Sequence, residues 1–370
     1  MKFTCNTKKL NEACSNVIKA VSQKVTIPTI EGILIECGTE ILSLTGYDFE
    51  FGITTTLSAT VTEPGSIVIN AKIMCDIIRK LAADVVTFET SGNSVSIISG
   101  AAQYNITGID ANDYPELPSV SGGYPLFIEK NMLHKMVMQT LFAVAENENS
   151  KPVHTGLKFE MTLNQLRLIG VDGYRLAIST ENINYEGEDF SFIVPKKTIR
   201  ELIKITGVDE EENISVSVGK RHIIFEIGDY SIISRLLDGD FLDYNAAVPK
   251  TGTTTVLINT REAIACIERA IPVVENNAKN PIRCLFDKDE MRVSTVSARG
   301  RVVDYTHANI SGERVEIGFN SKYMLDALNA ADTDEVKIEL GGPVSPVKVM
   351  PANDERFLFL VLPMRLKSEI

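Results

Sequence analysis

Three stretches of this chain repeat one layout at a constant offset of 125 residues, without gaps. They begin at Ser66, Ser191 and Glu316 and each runs for 13 residues. Ile67, Phe192 and Ile317 correspond, as do Ile69, Val194 and Phe319; Lys72 matches Lys197 and Lys322, and Asp76 matches Glu201 and Asp326. Each stretch starts with the two-residue alternation of a half-buried strand. It then changes to apolar residues three and four apart, as at Met74, Ile77, Ile78 and Leu81, which is helical spacing. A chain built on such a period must fold as copies of one unit. The period is far too long for a solenoid of small repeats.

Two further sets keep the same order. The segments from Ile41, Gln165 and Met291 each read as a strand entering a tight turn. Those from Phe3 to Ala20, Phe127 to Ala145 and Val256 to Val274 each read as a short strand followed by a helix, with Thr7 and Thr260 predicted as N-caps. Each copy is therefore expected to hold two helices and many short strands, an α+β unit. The turn-rich stretches from Tyr114 and from Val248 place the boundaries. The expected domains are 1–123, 124–249 and 250–370.

The net charge of −12 argues against a nucleic-acid partner unless positive charge is gathered in one place. It is gathered on the predicted helices. Residues 7–24, 71–83, 130–145 and 195–207 carry net charges of +3, +2, +2 and +3, whereas 260–274 and 319–331 are neutral. The remainder of the chain is correspondingly acidic. A solvated helix face explains polarity but not a bias of sign. Basic helices with few aromatic residues, in a chain without Trp, suit sequence-independent contact with duplex phosphates better than base readout or single-strand stacking.

Other classes are disfavoured. The longest apolar run, Phe357 to Leu362, is strand-sized. The six cysteines include no C-x-x-C pair and read as reduced, buried thiols, so a cytoplasmic location is expected. The four histidines lie apart without metal-ligand spacing, and no Walker A, G-x-G-x-x-G or G-x-S-x-G motif occurs. A nucleophile such as Cys284 could meet His154 and Asp172 only by accident of folding. The chain is expected to be a binding protein, with no catalytic residue, metal or cofactor.

Five motifs in order, beginning at Ile41, Gly170, Val194, Ile317 and Leu362, identify a resemblance over essentially the full length. The Leu362-Pro-Met-Arg-Leu segment is the most specific. The chain resembles the DNA polymerase III beta subunits, the bacterial sliding clamps. The resemblance implies three tandem DNA-clamp domains, each with two helices packed on antiparallel sheets, and a head-to-tail homodimer that closes a ring. It implies a processivity factor of DNA replication that encircles duplex DNA. Its partners would be the polymerase III alpha subunit, the clamp-loader complex, and other polymerases and repair factors carrying short peptide motifs. Twelve helices spaced about 9–10 Å apart leave a hole about 26 Å wide. A duplex about 20 Å across passes through it. The alternative is a scaffold that binds peptides but has no topological role on DNA.

The resemblance also implies sites. DNA-facing positions are Lys24, Lys72, Arg79, Lys80, Lys196, Lys197, Arg200 and Lys204. Positions matching the peptide pocket are His154, Val171, Gly173, Tyr174, Arg175, Leu176, Leu242, Ala246, Ala247, Val344, Pro346, Leu360, Val361, Leu362, Pro363, Met364 and Arg365. Apolar residues with an adaptable Met form a bed for varied partners. Arg175 and Arg365 are expected to hold peptide carbonyls or carboxylates. Asp172-Gly173 is also a predicted hairpin turn. Well-known relatives carry Thr, His and Arg where Val171, Tyr174 and Ala246 stand, so this pocket is expected to be more apolar. Tyr104, Ile271, Val273 and Val274 match positions at the subunit interface.

Overall fold

The computed structural model describes residues 1–22, 27–120, 126–146, 150–185, 187–207, 213–275 and 280–366. Lys24 and the tail from Lys367 to Ile370 therefore lie outside the described residues. Helices α1 (Thr7–Val17), α2 (Ala71–Ile78), α3 (Lys130–Thr140), α4 (Lys196–Thr206), α6 (Thr260–Ala270) and α7 (Ser321–Ala330) give each copy its expected pair. A four-residue helix, α5 (Tyr244–Ala247), was not anticipated. The first helix of each copy is shorter than its periodicity suggests. It tightens into one 3-10 turn, at Ile18–Ala20, Leu141–Ala143 and Ile271–Val273.

The helices start one residue earlier than expected. Asn6 and Asn259, not Thr7 and Thr260, are the N-caps: their side chains accept from the backbone N–H of Lys9 and Glu262. Asn70 and Asn320 cap α2 and α7 in the same way. Asn is as good a cap as Ser and better than Thr. The Thr7 and Thr260 hydroxyls are instead buried without a partner. Behind the caps, burial follows the helical period. Leu10, Ala13, Cys14 and Val17 are buried on α1, and Ala263, Cys266, Ile267 and Ala270 on α6.

Among the described residues, four antiparallel sheets carry these helices, and two of them run across copy boundaries. In the eight-stranded sheet, Phe51–Ser58 of the first copy pairs with Tyr230–Arg235 of the second. In the nine-stranded sheet, Arg175–Asn182 of the second copy pairs with Phe357–Val361 of the third. By internal contacts the three copies group into two compact units. One contains Met1–Lys130 and Lys197–Leu236, the other Asn131–Lys196 and Leu237–Ile370. The middle copy contributes strands to both. The remaining sheets, of five and four strands, end on Ala102–Thr107 and Gly300–His307 respectively.

Copy symmetry reaches individual contacts. Gly46 and Gly170 occupy matching strands beneath α1 and α3. A Cβ there would lie 2.6 Å from the Val17 carbonyl oxygen and 2.5 Å from that of Thr140. Each glycine lets the end of a helix rest directly on the sheet. Among the described residues, no helix is long and apolar enough to cross a membrane. Gly170→Ala should destabilise the chain by about 1–3 kcal/mol through overpacking, seen as a lower urea midpoint at unchanged slope.

Candidate functional site

The strand Gln165–Val171 alternates in burial until Leu168 and is then buried on both faces through Val171. Such a strand is covered by two apolar layers. One is the main core. The other is a small separate cluster of Ile169, Val171, Leu176, Tyr244 and Leu360, packed with Ile178, Phe241, Val248 and Leu358. Three of the expected pocket residues, Val171, Leu176 and Leu360, form the floor of this cluster. Strand register explains their meeting: Val171 lies opposite Leu176, and Leu176 opposite Leu360.

The other expected residues divide clearly. Tyr174, Leu242, Val344 and Leu362 are large apolar groups left exposed, at 61%, 40%, 72% and 39%. Ala246, Ala247 and Arg365 are also exposed, while Pro346, Pro363 and Met364 are half-buried. Val361 does not join the floor. It alternates to the opposite face of its strand and is buried in the main core with Phe357 and Phe359. His154 is half-buried, edge-on to Phe241 at 5.6 Å, and its Nε2 has no partner. Burial and then Lys151 push its pKa down, which keeps the imidazole neutral near pH 7.

Arg175 has a different role from the one expected. Its Nε donates to Asp172 Oδ2 at 2.9 Å and its Nη1 to Asp326 Oδ2 at 2.5 Å. Its guanidinium lies 4.5 Å from the Tyr323 ring centroid and 5.4 Å from that of Phe142. Already satisfied on both forks and 9% exposed, it joins the hairpin of the second copy to α7 of the third. It is a clamp between the two copies, with its guanidinium already engaged by two carboxylates. The predicted turn is present. Asp172 Oδ1 accepts from the backbone of Tyr174 and Arg175, and Gly173 takes φ = 90°, a conformation that favours glycine.

Sequence reasoning missed Phe241, Tyr244, Tyr323 and Asp326. Tyr244 closes one side of the cluster, its hydroxyl donating to Glu160 Oε2. Lys158 ion-pairs with Glu160 at 2.6 Å and lies 5.4 Å from the Phe241 ring centroid. The paired apolar residues Ile169 with Val171 and Leu358 with Leu360 were a readable sign of a second apolar layer. Nothing local pointed to Tyr323 or Asp326.

The basic helices can be followed on α2 and α4. Lys72, Arg79, Lys80, Lys197, Arg200 and Lys204 are exposed. Arg79 pairs with Asp76 and Lys204 with Glu201 along their own helices, contacts that screen little charge from a polyanion. Lys196 departs from the expectation. It is buried, donating to the Val144 carbonyl at 2.6 Å and to Glu146 at 2.8 Å, so its charge is spent inside the fold. Lys197 pairs with Asp48 at 2.8 Å and lies over the Phe51 ring, which ties it partly to the first copy's hairpin. At the expected interface positions, Tyr104 is half-buried on the edge strand Ala102–Thr107. Ile271 is exposed and Val273 half-buried, whereas Val274 is buried in the chain's own core. Among the described residues, no group of three His, Cys, Asp or Glu is placed to hold a metal ion.

Replacing Arg175 with Ala should cost about 3 kcal/mol, because Asp172 and Asp326 lose their shared cation. Arg175→Lys keeps the charge but loses the fork, and should recover only part of the loss in chemical denaturation.

Comparison with known proteins agrees with this architecture along the whole chain. Models of the N-terminal, central and C-terminal domains of the DNA polymerase III beta subunit match residues 1–118, 127–243 and 245–365 in order. The chain is 31% identical to a beta sliding clamp of Bacillus subtilis over 378 residues, covering 99% of this chain and 100% of that protein. It is 32% identical to one of Staphylococcus aureus over 376 residues, covering 99% of each. A crystal structure of the DNA polymerase sliding clamp from Bacillus subtilis superposes with a TM-score of 0.95 at 30% identity, covering 99% of this chain and 100% of that one. A structure of a putative DNA polymerase III beta subunit from Eubacterium rectale gives 0.93 at 30% identity, covering 98% and 99%. A repeated fold, a shared register and similarity that runs from end to end place the chain in the DNA polymerase III beta subunit family.

Proposed function

We propose that the chain is a DNA sliding clamp, a processivity factor that encircles duplex DNA as a head-to-tail homodimer and tethers its partners through the apolar cluster between its second and third copies. It acts by binding and by topology, without chemistry of its own. The observation that carries the reading is the pattern of sheet edges. Twice within the chain, the strand after the hairpin in one copy pairs with the last strand of the next. The third copy's hairpin strand, Gly300–His307, and the first copy's last strand, Ala102–Thr107, are left as terminal strands of their sheets. An unpaired edge is a template for another strand. A second copy satisfies both edges at once and closes the assembly.

The internal junctions supply the register of that closure. Ile53 faces Ile232 and Thr54 faces Ser231 in the first junction. Carried over by position, Tyr104 faces Val302 of the partner, and Gln103 faces Val303. Val303 and Tyr305 are exposed on this strand, and Ile98 on the sheet opposite, as surfaces awaiting burial would be. Val274 is buried in the chain's own core.

Retention by a closed ring needs no tight hold on DNA, so mobile phosphate contacts from α2 and α4 suffice. The pocket suits a short, mostly apolar peptide. Its floor is Val171, Leu176 and Leu360, and exposed Tyr174, Leu242 and Leu362 surround it. The polymerase III alpha subunit, the clamp loader and repair factors are the proposed carriers of such peptides.

Loaded onto a nicked circle by an ATP-driven loader, the protein should stay on the circle at moderate salt and leave once the DNA is linearised. Equal loss from both forms would exclude topological retention. Gln103→Cys with Val303→Cys should form a dimer cross-linked through two disulfides under mild oxidation; monomer alone would refute the register. Lys72→Glu with Lys80→Glu should reduce loading or retention while the dimer survives, measured by gel filtration alongside the loading assay. This pair avoids Lys197, whose reversal would set a carboxylate against Asp48.

A further inference from the structure

We infer that the junction between the first and second copies is a second, self-occupied counterpart of the peptide pocket, and that one opposed residue pair decides which junction takes a ligand. The inference rests on the proposed peptide pocket and concerns what makes it unique. The two junctions are built alike. Asp48 caps its hairpin turn by accepting from Glu50 and Phe51, as Asp172 does from Tyr174 and Arg175. Arg235 donates its backbone N–H to Glu50 at 2.8 Å, as Leu362 does to Tyr174 at 2.9 Å. Leu237 donates to Ile193 and Met364 to Gly318, at matching positions.

The side chains on this common frame differ. Val171 opposes Leu176 in the pocket, and Tyr47 opposes Gly52 at the corresponding place. A Cβ on residue 52 would lie 2.8 Å from Ile233 Cγ2 and 3.0 Å from Tyr47 Cδ2, so the ring, with Ile233, fills the volume that Leu176 takes in the other junction. Tyr47 is 5% exposed and clusters with Tyr114 and Val68. Tyr114 donates its hydroxyl to the Thr45 carbonyl and holds the cover down. The bed changes as well. Ile169 faces Ile178 in the pocket, whereas Thr45 faces Thr54 in its counterpart, with their hydroxyls 3.0 Å apart. A large ring over glycine seals one junction. A small residue beside leucine leaves the other an apolar floor.

Exchanging the pair tests this. Val171→Tyr with Leu176→Gly recreates the opposed pair of the first junction at the cost of about two methylenes of core volume, so survival of the fold is measured first. Melting temperature and dimer mass check it. A fluorescent peptide copied from the tail of the same organism's replicative polymerase should bind the wild-type protein and bind the folded variant about 30-fold or more weaker. Equal binding by both would overturn the inference and leave the pocket reading standing. No binding by the wild type would sink the pocket reading, and the inference with it. Should the variant fail to fold, native mass spectrometry of the wild type with excess peptide decides instead. One peptide per chain supports a sealed first junction, and two per chain overturn it.

Discussion

Antiparallel pairing between the copies is the constraint on which the rest of this structure depends. A strand edge left open exposes a row of unsatisfied N–H and C=O groups, and each copy has such edges. Pairing Phe51–Ser58 with Tyr230–Arg235, and Arg175–Asn182 with Phe357–Val361, turns sheets of single copies into continuous ones. This is why the chain condenses into two compact units although it contains three copies. It also fixes where the functional groups meet. The Asp172 hairpin reaches Asp326 on α7 only because the strand that follows it is locked in register with Phe357–Val361.

The same frame carries different chemistry at each junction. Where the first and second copies meet, Lys197 pairs with Asp48, Arg235 pairs with Glu50, and aromatic rings close over the sheet. Where the second and third meet, Arg175 draws the charge inward between two carboxylates and leaves an apolar surface outside. Repetition supplies the geometry, and departures from repetition supply the chemical difference between the junctions. Charge behaves likewise. The basic surplus on α4 is real, yet Lys196 spends its share on a carbonyl and on Glu146, while Lys204 remains at the surface.

Much of this was readable in the sequence because it is periodic. The offset of 125 residues, the alternation before each helix and the three- and four-residue spacing within it gave the copies, their helices and the buried face of each. The caps were missed by one residue because Asn and Thr are adjacent at both sites and only geometry tells which side chain reaches the free N–H groups. Part of the second apolar layer was visible as well. Val171, Leu176 and Leu360 meet in one cluster. Val361 does not join them, since a strand that is apolar at consecutive positions does not announce which residue faces which layer.

By itself, the sequence determined that this protein is three α+β copies, that its positive charge lies on helices of the first two, and which family it resembles. Those are properties of local pattern, and local pattern survives in a linear text. Only the tertiary structure decided that the middle copy shares its strands between two compact units, that Arg175 is a clamp and Lys196 a buried tie, and that Tyr47 lies over Gly52 in one junction where Val171 lies beside Leu176 in the other. Each of these depends on groups far apart in the chain being brought within contact distance. That proximity follows from strand register, and no stretch of sequence states it alone.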